Sequence, residues 1–118
     1  MSTDFIIYHN PKCSKSRMAL TILREHGIEP RMVEYLKTPF NRASLRELLR
    51  KLGLHARDIL RDGEEEYRML KLDDPALTED ALMEAVVQHP VLLQRPIVVQ
   101  GARAVLARPP EKVKMLFQ

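Results

Sequence analysis

The chain has 118 residues, of which 45% are hydrophobic and 30% charged, with 19 basic and 16 acidic residues and a single cysteine. This composition favours one globular domain over a disordered chain, while interspersed charges and an aromatic content of 5% disfavour nucleic-acid binding. No apolar run approaches the roughly 20 residues that span a bilayer, and the N-terminal residues lack the segments of a signal peptide. A single cysteine cannot form an internal disulfide. We therefore expect a cytoplasmic protein.

The first third of the chain predicts a βαβ unit. An apolar strand over residues 4–8 leads into an amphipathic helix over residues 14–26, which Gly27 ends. A second strand follows at Met32-Val33-Glu34-Tyr35-Leu36. Because a helix joins the two strands, we expect them to be parallel.

A block of helices is predicted over residues 40–92. The capping box Ser44-Leu45-Arg46-Glu47 begins the first helix, and Gly53 ends it. A helix over residues 64–72 follows, and Thr78 caps the next one. We interpret this block as an insertion between two halves of one sheet domain that comprises residues 1–118.

The C-terminal part of the chain predicts a β-hairpin and a helix. Pro96-Ile97-Val98-Val99-Gln100 forms a strand, Gly101 turns the chain, and Arg103-Ala104-Val105-Leu106-Ala107 pairs back. Pro109-Pro110 then begins a last helix. The order βαβ, helices, ββα predicts an α/β fold with a mixed four-stranded sheet.

The only cysteine, Cys13, lies where the first strand meets the first helix. Backbone N–H groups and the positive end of the helix dipole favour the thiolate there, and the thiolate is the nucleophilic form. Lys12, Lys15 and Arg17 add positive charge close by in sequence. A buried structural cysteine is the alternative, but the basic surroundings indicate an activated sulfur with an anionic partner.

Ser16 occupies the position at which a Cys-x-x-Cys motif would carry its second thiol. Cys13 therefore cannot resolve an adduct on its own sulfur by forming a local disulfide. An external thiol has to release such an adduct, and glutathione or a glutaredoxin is the natural source.

Three arginines and a histidine are candidate site residues. Arg61, Arg95 and Arg108 each lie at the end of a predicted element, and the planar guanidinium suits a tetrahedral oxyanion. Solvated surface arginines are the alternative. His9 either tunes Cys13 through a hydrogen bond or is a strand-end histidine satisfied by the backbone.

Pro96 is a further candidate, because a proline directly before a strand, in a chain that opens βαβ around a cysteine, resembles the cis-proline of thioredoxin-like folds. A trans proline that merely begins a strand is the alternative. The scattered histidines lack metal-ligand spacing, so we expect no metal site.

Together these residues resemble the glutaredoxin-dependent arsenate reductase (ArsC) family. The shared motifs follow one another over nearly the whole chain: Tyr8-His9-Asn10-Pro11-x-Cys13-x-x-Ser16-Arg17, Leu60-Arg61, Arg95-Pro96-Ile97-Val98-Val99 and Arg108-Pro109. The resemblance implies a thioredoxin-like fold with a helical insertion. Family members tend to carry Gly-Thr where this chain has Ser14-Lys15, and the chain is most similar to the short, arsenate-reductase-like subgroup.

The resemblance also implies a role for each matching residue. Cys13 would be the nucleophile that attacks arsenate, and His9 would help to lower its pKa. The oxyanion would be held by Arg61, Arg95 and Arg108, and the anion-binding loop would include Asn10, Ser16 and Arg17. The family reaction implies no bound cofactor, glutathione as a co-substrate and a glutaredoxin as partner.

Two alternatives to arsenate reduction stay open. The same site could act on a glutathionylated or otherwise oxidised thiol, or on another oxyanion. Related thioredoxin-like proteins also include redox-sensing regulators that bind RNA polymerase, but these typically carry Cys-x-x-Cys, and Ser16 makes that interpretation weaker.

Overall fold

The structure of the protein is a computed structural model that describes residues 4–117. It has two units, and a mixed four-stranded sheet lies in the first. This unit comprises the chain up to Thr38 together with the chain from Arg95 onward, and the second unit spans Pro39–Gln94. The first residues of the chain, on which the signal-peptide argument rests, lie outside the described part. That residues 1–118 form one domain with an insertion at 40–92 stays a prediction.

The predicted α/β architecture is confirmed in the sheet of the first unit. Its strands are β1 (Phe5–His9), β2 (Arg31–Glu34), β3 (Ile97–Gln100) and β4 (Arg103–Leu106), in the spatial order β2-β1-β3-β4. β1 pairs with β2 in parallel, and β1–β3 and β3–β4 are antiparallel. β2 ends at Glu34, before its predicted end, because the backbone N–H groups of Lys37 and Thr38 both donate to the Glu34 carbonyl and turn the chain.

Helix α1 (Ser14–Glu25) joins β1 to β2 and packs on one face of the sheet. The core of this unit combines buried side chains of α1 with apolar side chains from the sheet and from the C-terminal 3₁₀ helix Pro110–Leu116. Its members are Phe5, Ile7, Ala19, Leu20, Leu23, Val98, Ala107, Val113 and Leu116. The predicted helix at the C-terminus is thus a 3₁₀ helix. Alternate residues of β1 face this core, which places His9 on the same side of the sheet as α1.

The second unit is helical, as predicted. It contains α2 (Arg42–Leu52), α3 (Glu65–Met69), α4 (Glu79–Gln88) and the 3₁₀ helices Ala56–Ile59 and Pro90–Leu92. α2 packs against α4, and both bury apolar side chains. Among residues 4–117 no helix is long and apolar enough to cross a membrane.

The start of α2 and the extent of α3 differ from the sequence predictions. Asn41, not Ser44, is the N-cap of α2: its Oδ1 accepts from the Ser44 N–H at 2.8 Å, and the Ser44 Oγ accepts from the Asn41 N–H at 3.0 Å. α3 is shorter than predicted because Lys71 adopts the left-handed region, φ 54°. The chain then turns back and buries Leu72.

Asn41→Ala should destabilise the protein by about 1 kcal/mol, because it removes the side-chain oxygen that satisfies an N–H at the start of α2. Glu47→Gln should change the denaturation midpoint much less, because Glu47 is not part of this cap. Chemical denaturation followed by circular dichroism measures both. Equal destabilisation by the two substitutions would contradict the assignment of Asn41 as the N-cap.

Candidate active site

The loop between β1 and α1 is fixed by hydrogen bonds at both ends. The Cys13 N–H donates to the Asn10 carbonyl at 2.9 Å, and the Lys12 N–H donates to Asn10 Oδ1 at 3.0 Å. The Asn10 N–H in turn donates to the hydroxyl of Ser16, which is fully buried. These contacts place Cys13 at the N-cap of α1, with an extended backbone of φ −94° and ψ 123°.

The surroundings of the half-buried Cys13 sulfur favour the thiolate. Burial raises the pKa of Cys13, but hydrogen bonds from the backbone N–H of Ser16 and from the Arg95 side chain lower it. The Lys15 N–H and the Ser16 hydroxyl also lower it, and the net effect is a pKa below the ordinary value of a cysteine. This balance is the one that activates nucleophilic cysteines at helix N-termini.

Arg95 brings a cationic side chain from the start of β3 to the sulfur. The Arg95–Pro96 peptide bond is cis, as predicted, and Pro96 is fully buried. The Arg95 guanidinium contacts Cys13 and Tyr35, yet its Nε and Nη1 are buried without a hydrogen-bond partner among the described residues. Buried donors of this kind are normally satisfied, so their N–H groups suit an anion bound beside Cys13.

Arg108, at the end of the β3–β4 hairpin, supports Arg95. Its Nη1 donates to the Arg95 carbonyl at 3.0 Å. The Arg108–Pro109 peptide bond is also cis, which the sequence analysis did not predict. The hairpin therefore brings together two of the three arginines that were predicted to bind the oxyanion, and one of them, Arg95, also contacts Cys13.

His9 is buried at the end of β1, and its Nδ1 has no hydrogen-bond partner among residues 4–117. Burial lowers the pKa of His9; Glu34 opposes this effect, while Arg17 and Arg24 add to it. The lowered pKa favours the neutral imidazole, while the groups that lower the pKa of Cys13 belong to Ser16, Arg95 and Lys15. Its expected role in activating the cysteine stays a prediction.

Arg17 and Arg61 have other contacts. Arg17 is exposed, and its Nη1 donates to the Pro11 carbonyl at 2.9 Å, across the cysteine loop. Arg61 belongs to the second unit, where its Nε lies 3.1 Å from a carboxylate oxygen of Glu64. A role for Arg61 in oxyanion binding stays a prediction from the resemblance.

Tyr35 is a site residue that sequence reasoning missed. It is completely buried, and it contacts Arg95. An aromatic residue in a predicted strand is most often part of the core, so no local signal marked it. Among the described residues, no three histidine, cysteine or acidic side chains form a cluster that could hold a metal ion.

Known proteins share both the sequence and the fold. Residues 8–116 match the model of the ArsC family. The chain is 49% identical over 114 residues to the uncharacterized protein YfgD of Escherichia coli strain K12, covering 96% of each chain. It is 46% identical over 112 residues to an arsenate reductase of Neisseria meningitidis serogroup A, covering 94% of this chain and 96% of the relative.

A solved structure extends the similarity to three dimensions. The arsenate reductase from Vibrio cholerae superposes with a TM-score of 0.94 at 44% identity, covering 98% of this chain and 99% of the other. With the mixed sheet and the cysteine at the start of α1, this similarity makes the fold thioredoxin-like.

Arg95→Gln should raise the pKa of Cys13, because it removes a hydrogen bond that stabilises the thiolate. The rate of alkylation by iodoacetamide, measured against pH, reports the thiolate fraction. In the unsubstituted protein its midpoint should lie below that of an ordinary cysteine, and in Arg95→Gln it should move to higher pH. Arg17→Gln removes a guanidinium bound to Pro11 and should move the midpoint less. Equal shifts in both variants would contradict the assigned role of Arg95.

Proposed function

Because this chain belongs to the ArsC family, we propose that it reduces arsenate to arsenite with Cys13 as the nucleophile. One observation carries the proposal: Cys13 has a lowered pKa and a hydrogen bond from Arg95, whose buried Nε and Nη1 have no partner in the described part of the chain. Arsenate is a tetrahedral anion, so its oxygens can accept from those donors while the arsenic faces the sulfur. Relatives named arsenate reductase support the choice of this oxyanion.

In the first step, the Cys13 thiolate attacks arsenic(V) and forms a sulfur–arsenic bond. One oxygen of dihydrogen arsenate leaves as water with the two protons that the anion carried, so arsenic keeps its oxidation state. Arg95, Arg108 and Arg61 are proposed to hold the remaining oxygens through charge-assisted hydrogen bonds. Such preorganised donors stabilise the charge that develops on these oxygens in the transition state.

In the second step, external thiols reduce the arsenic, since Ser16 gives the site no second thiol of its own. Glutathione adds to the arsenic through its sulfur and displaces another oxygen, which leaves as water with the thiol proton and one proton from solvent. A glutaredoxin thiolate then attacks the glutathione sulfur, forms a mixed disulfide with it and leaves the electron pair of the sulfur–arsenic bond on arsenic, which becomes arsenic(III). Water then attacks the arsenic and the Cys13–arsenic bond breaks, so Cys13 returns as a thiolate, and arsenite departs with the oxygen and protons of that water and further protons from solvent.

This scheme uses no bound cofactor; its reducing equivalents come from consumed thiols. Such a reaction suits the cytoplasm, where glutathione and glutaredoxins are kept reduced.

A second candidate function is the reduction of a glutathione mixed disulfide or of another oxyanion. It is favoured by Ser14-Lys15, because family members tend to carry Gly-Thr at these two positions.

Cys13→Ser should abolish arsenate-dependent oxidation of NADPH in an assay coupled through glutathione, glutaredoxin and glutathione reductase. The serine hydroxyl is not ionised at neutral pH and cannot replace the thiolate. A rate that survives in Cys13→Ser would overturn the mechanism. If the unsubstituted protein has no arsenate rate but reduces a glutathione mixed disulfide in a Cys13-dependent way, the second candidate replaces the first.

Arg108→Lys should raise the KM for arsenate about 10- to 100-fold, because a hydrogen bond to a charged group is worth roughly 1.5–3 kcal/mol. Arg103→Lys is the matched control on the same hairpin, since the Arg103 side chain donates to the Met115 carbonyl at 2.6 Å. Steady-state kinetics at varied arsenate concentration measures both. A KM that is unchanged in Arg108→Lys, or raised equally in Arg103→Lys, would remove Arg108 from the oxyanion site.

A further inference from the structure

Tyr35 has the largest fully buried side chain among the described residues, and no step of the scheme above uses it. A buried tyrosine ring fills a core, but its hydroxyl is polar and normally needs a hydrogen-bond partner. The Tyr35 hydroxyl has one, because it accepts a hydrogen bond from the Arg95 guanidinium. Tyr35 therefore contacts the arginine that is hydrogen-bonded to the reactive sulfur.

The sheet brings Tyr35 and Arg95 to the end at which the cysteine loop begins. β1 lies between β2 and β3, and its last residue, His9, is paired with Glu34 at the end of β2. Tyr35 follows Glu34 directly, and Arg95 comes two residues before β3, which runs antiparallel to β1. Neighbouring strands are about 4.8 Å apart, so β2 and β3 are separated by about 10 Å, a gap that two long side chains can bridge.

An uncharged hydroxyl can hold a guanidinium without neutralising it. The tyrosine oxygen accepts a hydrogen bond, whereas a carboxylate would pair with the arginine and compete with an anionic substrate. Arg61 shows the contrast, since its Nε lies 3.1 Å from a carboxylate oxygen of Glu64. With Tyr35 as the acceptor, the Arg95 Nε and Nη1, which have no hydrogen-bond partner among residues 4–117, remain suited to an oxyanion.

The contact with Tyr35 also outlasts the contact with the sulfur. The structure gives the Arg95 guanidinium contacts with both Cys13 and Tyr35. In the proposed first step the sulfur bonds to arsenic and loses its negative charge, so the hydrogen bond from Arg95 weakens. An arginine side chain without an anchor populates many rotamers. The Tyr35 hydroxyl takes no part in the bond changes and keeps the guanidinium in place.

We propose that Tyr35 is a positioning residue for Arg95: its buried hydroxyl fixes the guanidinium so that this one arginine serves both the thiolate and the oxyanion. The part that concerns the oxyanion rests on the proposed function, whereas the part that concerns the thiolate does not. If Tyr35 only filled the core, removal of its hydroxyl would leave Arg95 in place.

The first test removes the hydroxyl and keeps the ring. Tyr35→Phe should move the pH midpoint of Cys13 alkylation by iodoacetamide upward by roughly half a pH unit, because a less well placed guanidinium stabilises the thiolate less. Tyr67→Phe is the matched control, since it removes the hydroxyl of a half-buried tyrosine in the second unit and should leave the midpoint unchanged. No shift in Tyr35→Phe, or an equal shift in Tyr67→Phe, would overturn the proposal.

A double substitution distinguishes positioning from a general effect on folding. Because Tyr35 is proposed to act through Arg95, Tyr35→Phe should add no further shift in protein that already carries Arg95→Gln. Additive shifts would show that Tyr35 acts on Cys13 by another route and would overturn the proposal. Alkylation is measured below the thermal unfolding temperature of every variant, so that folded proteins are compared.

Kinetics test the part that depends on arsenate. In the coupled assay, Tyr35→Phe should lower kcat/KM for arsenate about tenfold, and it should cause no further loss when Arg95→Gln is present. An unchanged kcat/KM in Tyr35→Phe would overturn the role of Tyr35 at the oxyanion. The alkylation profile needs no turnover. A protein that reduces no arsenate but shows the Arg95-dependent shift would therefore refute the proposed function and keep Tyr35 as the residue that positions Arg95 at the thiolate.

Discussion

The hydrogen bonds that converge on the Cys13 sulfur constrain the whole site in the first unit. A half-buried thiolate loses hydration, and burial alone would keep the sulfur protonated. The donors that reverse this effect come from the first turn of α1 and from Arg95 at the start of β3. Both elements therefore have to meet at the end of β1. The buried hydroxyl of Ser16 and the turn at Asn10 hold the cysteine loop in the position that makes this possible.

Arg95 links the sulfur to the proposed oxyanion site. It contacts Cys13 and the buried Tyr35, and Arg108 holds its carbonyl. Its Nε and Nη1 have no hydrogen-bond partner among residues 4–117, and a buried donor that stays unsatisfied is unfavourable by about 1–3 kcal/mol. An anion bound there would accept hydrogen bonds from both nitrogens. The proposed substrate is thus a partner that suits the donors of Arg95.

The sequence predicted the parts of this arrangement that depend on local pattern. Apolar strands, the helix after Cys13 and the proline before β3 are visible in short windows, and all were confirmed. The predicted start of α2 was wrong because Ser44 can act either as an N-cap or as the third helical residue. The sequence pattern alone does not distinguish these two positions. Tyr35 could not be predicted, because its contact with Arg95 joins residues far apart in the chain. The unpartnered nitrogens of Arg95 are likewise a property of packing.

The X-ray absorption spectrum of arsenic bound to the protein is the most direct test of the central claim, that the Cys13 sulfur bonds to arsenic. The protein is incubated with arsenate and glutathione without glutaredoxin and is separated from free arsenic by gel filtration before measurement. The account predicts a sulfur neighbour of arsenic in the unsubstituted protein and no protein-bound arsenic–sulfur signal in Cys13→Ser. Arsenic surrounded only by oxygen in the unsubstituted protein, or the same sulfur signal in Cys13→Ser, would contradict it.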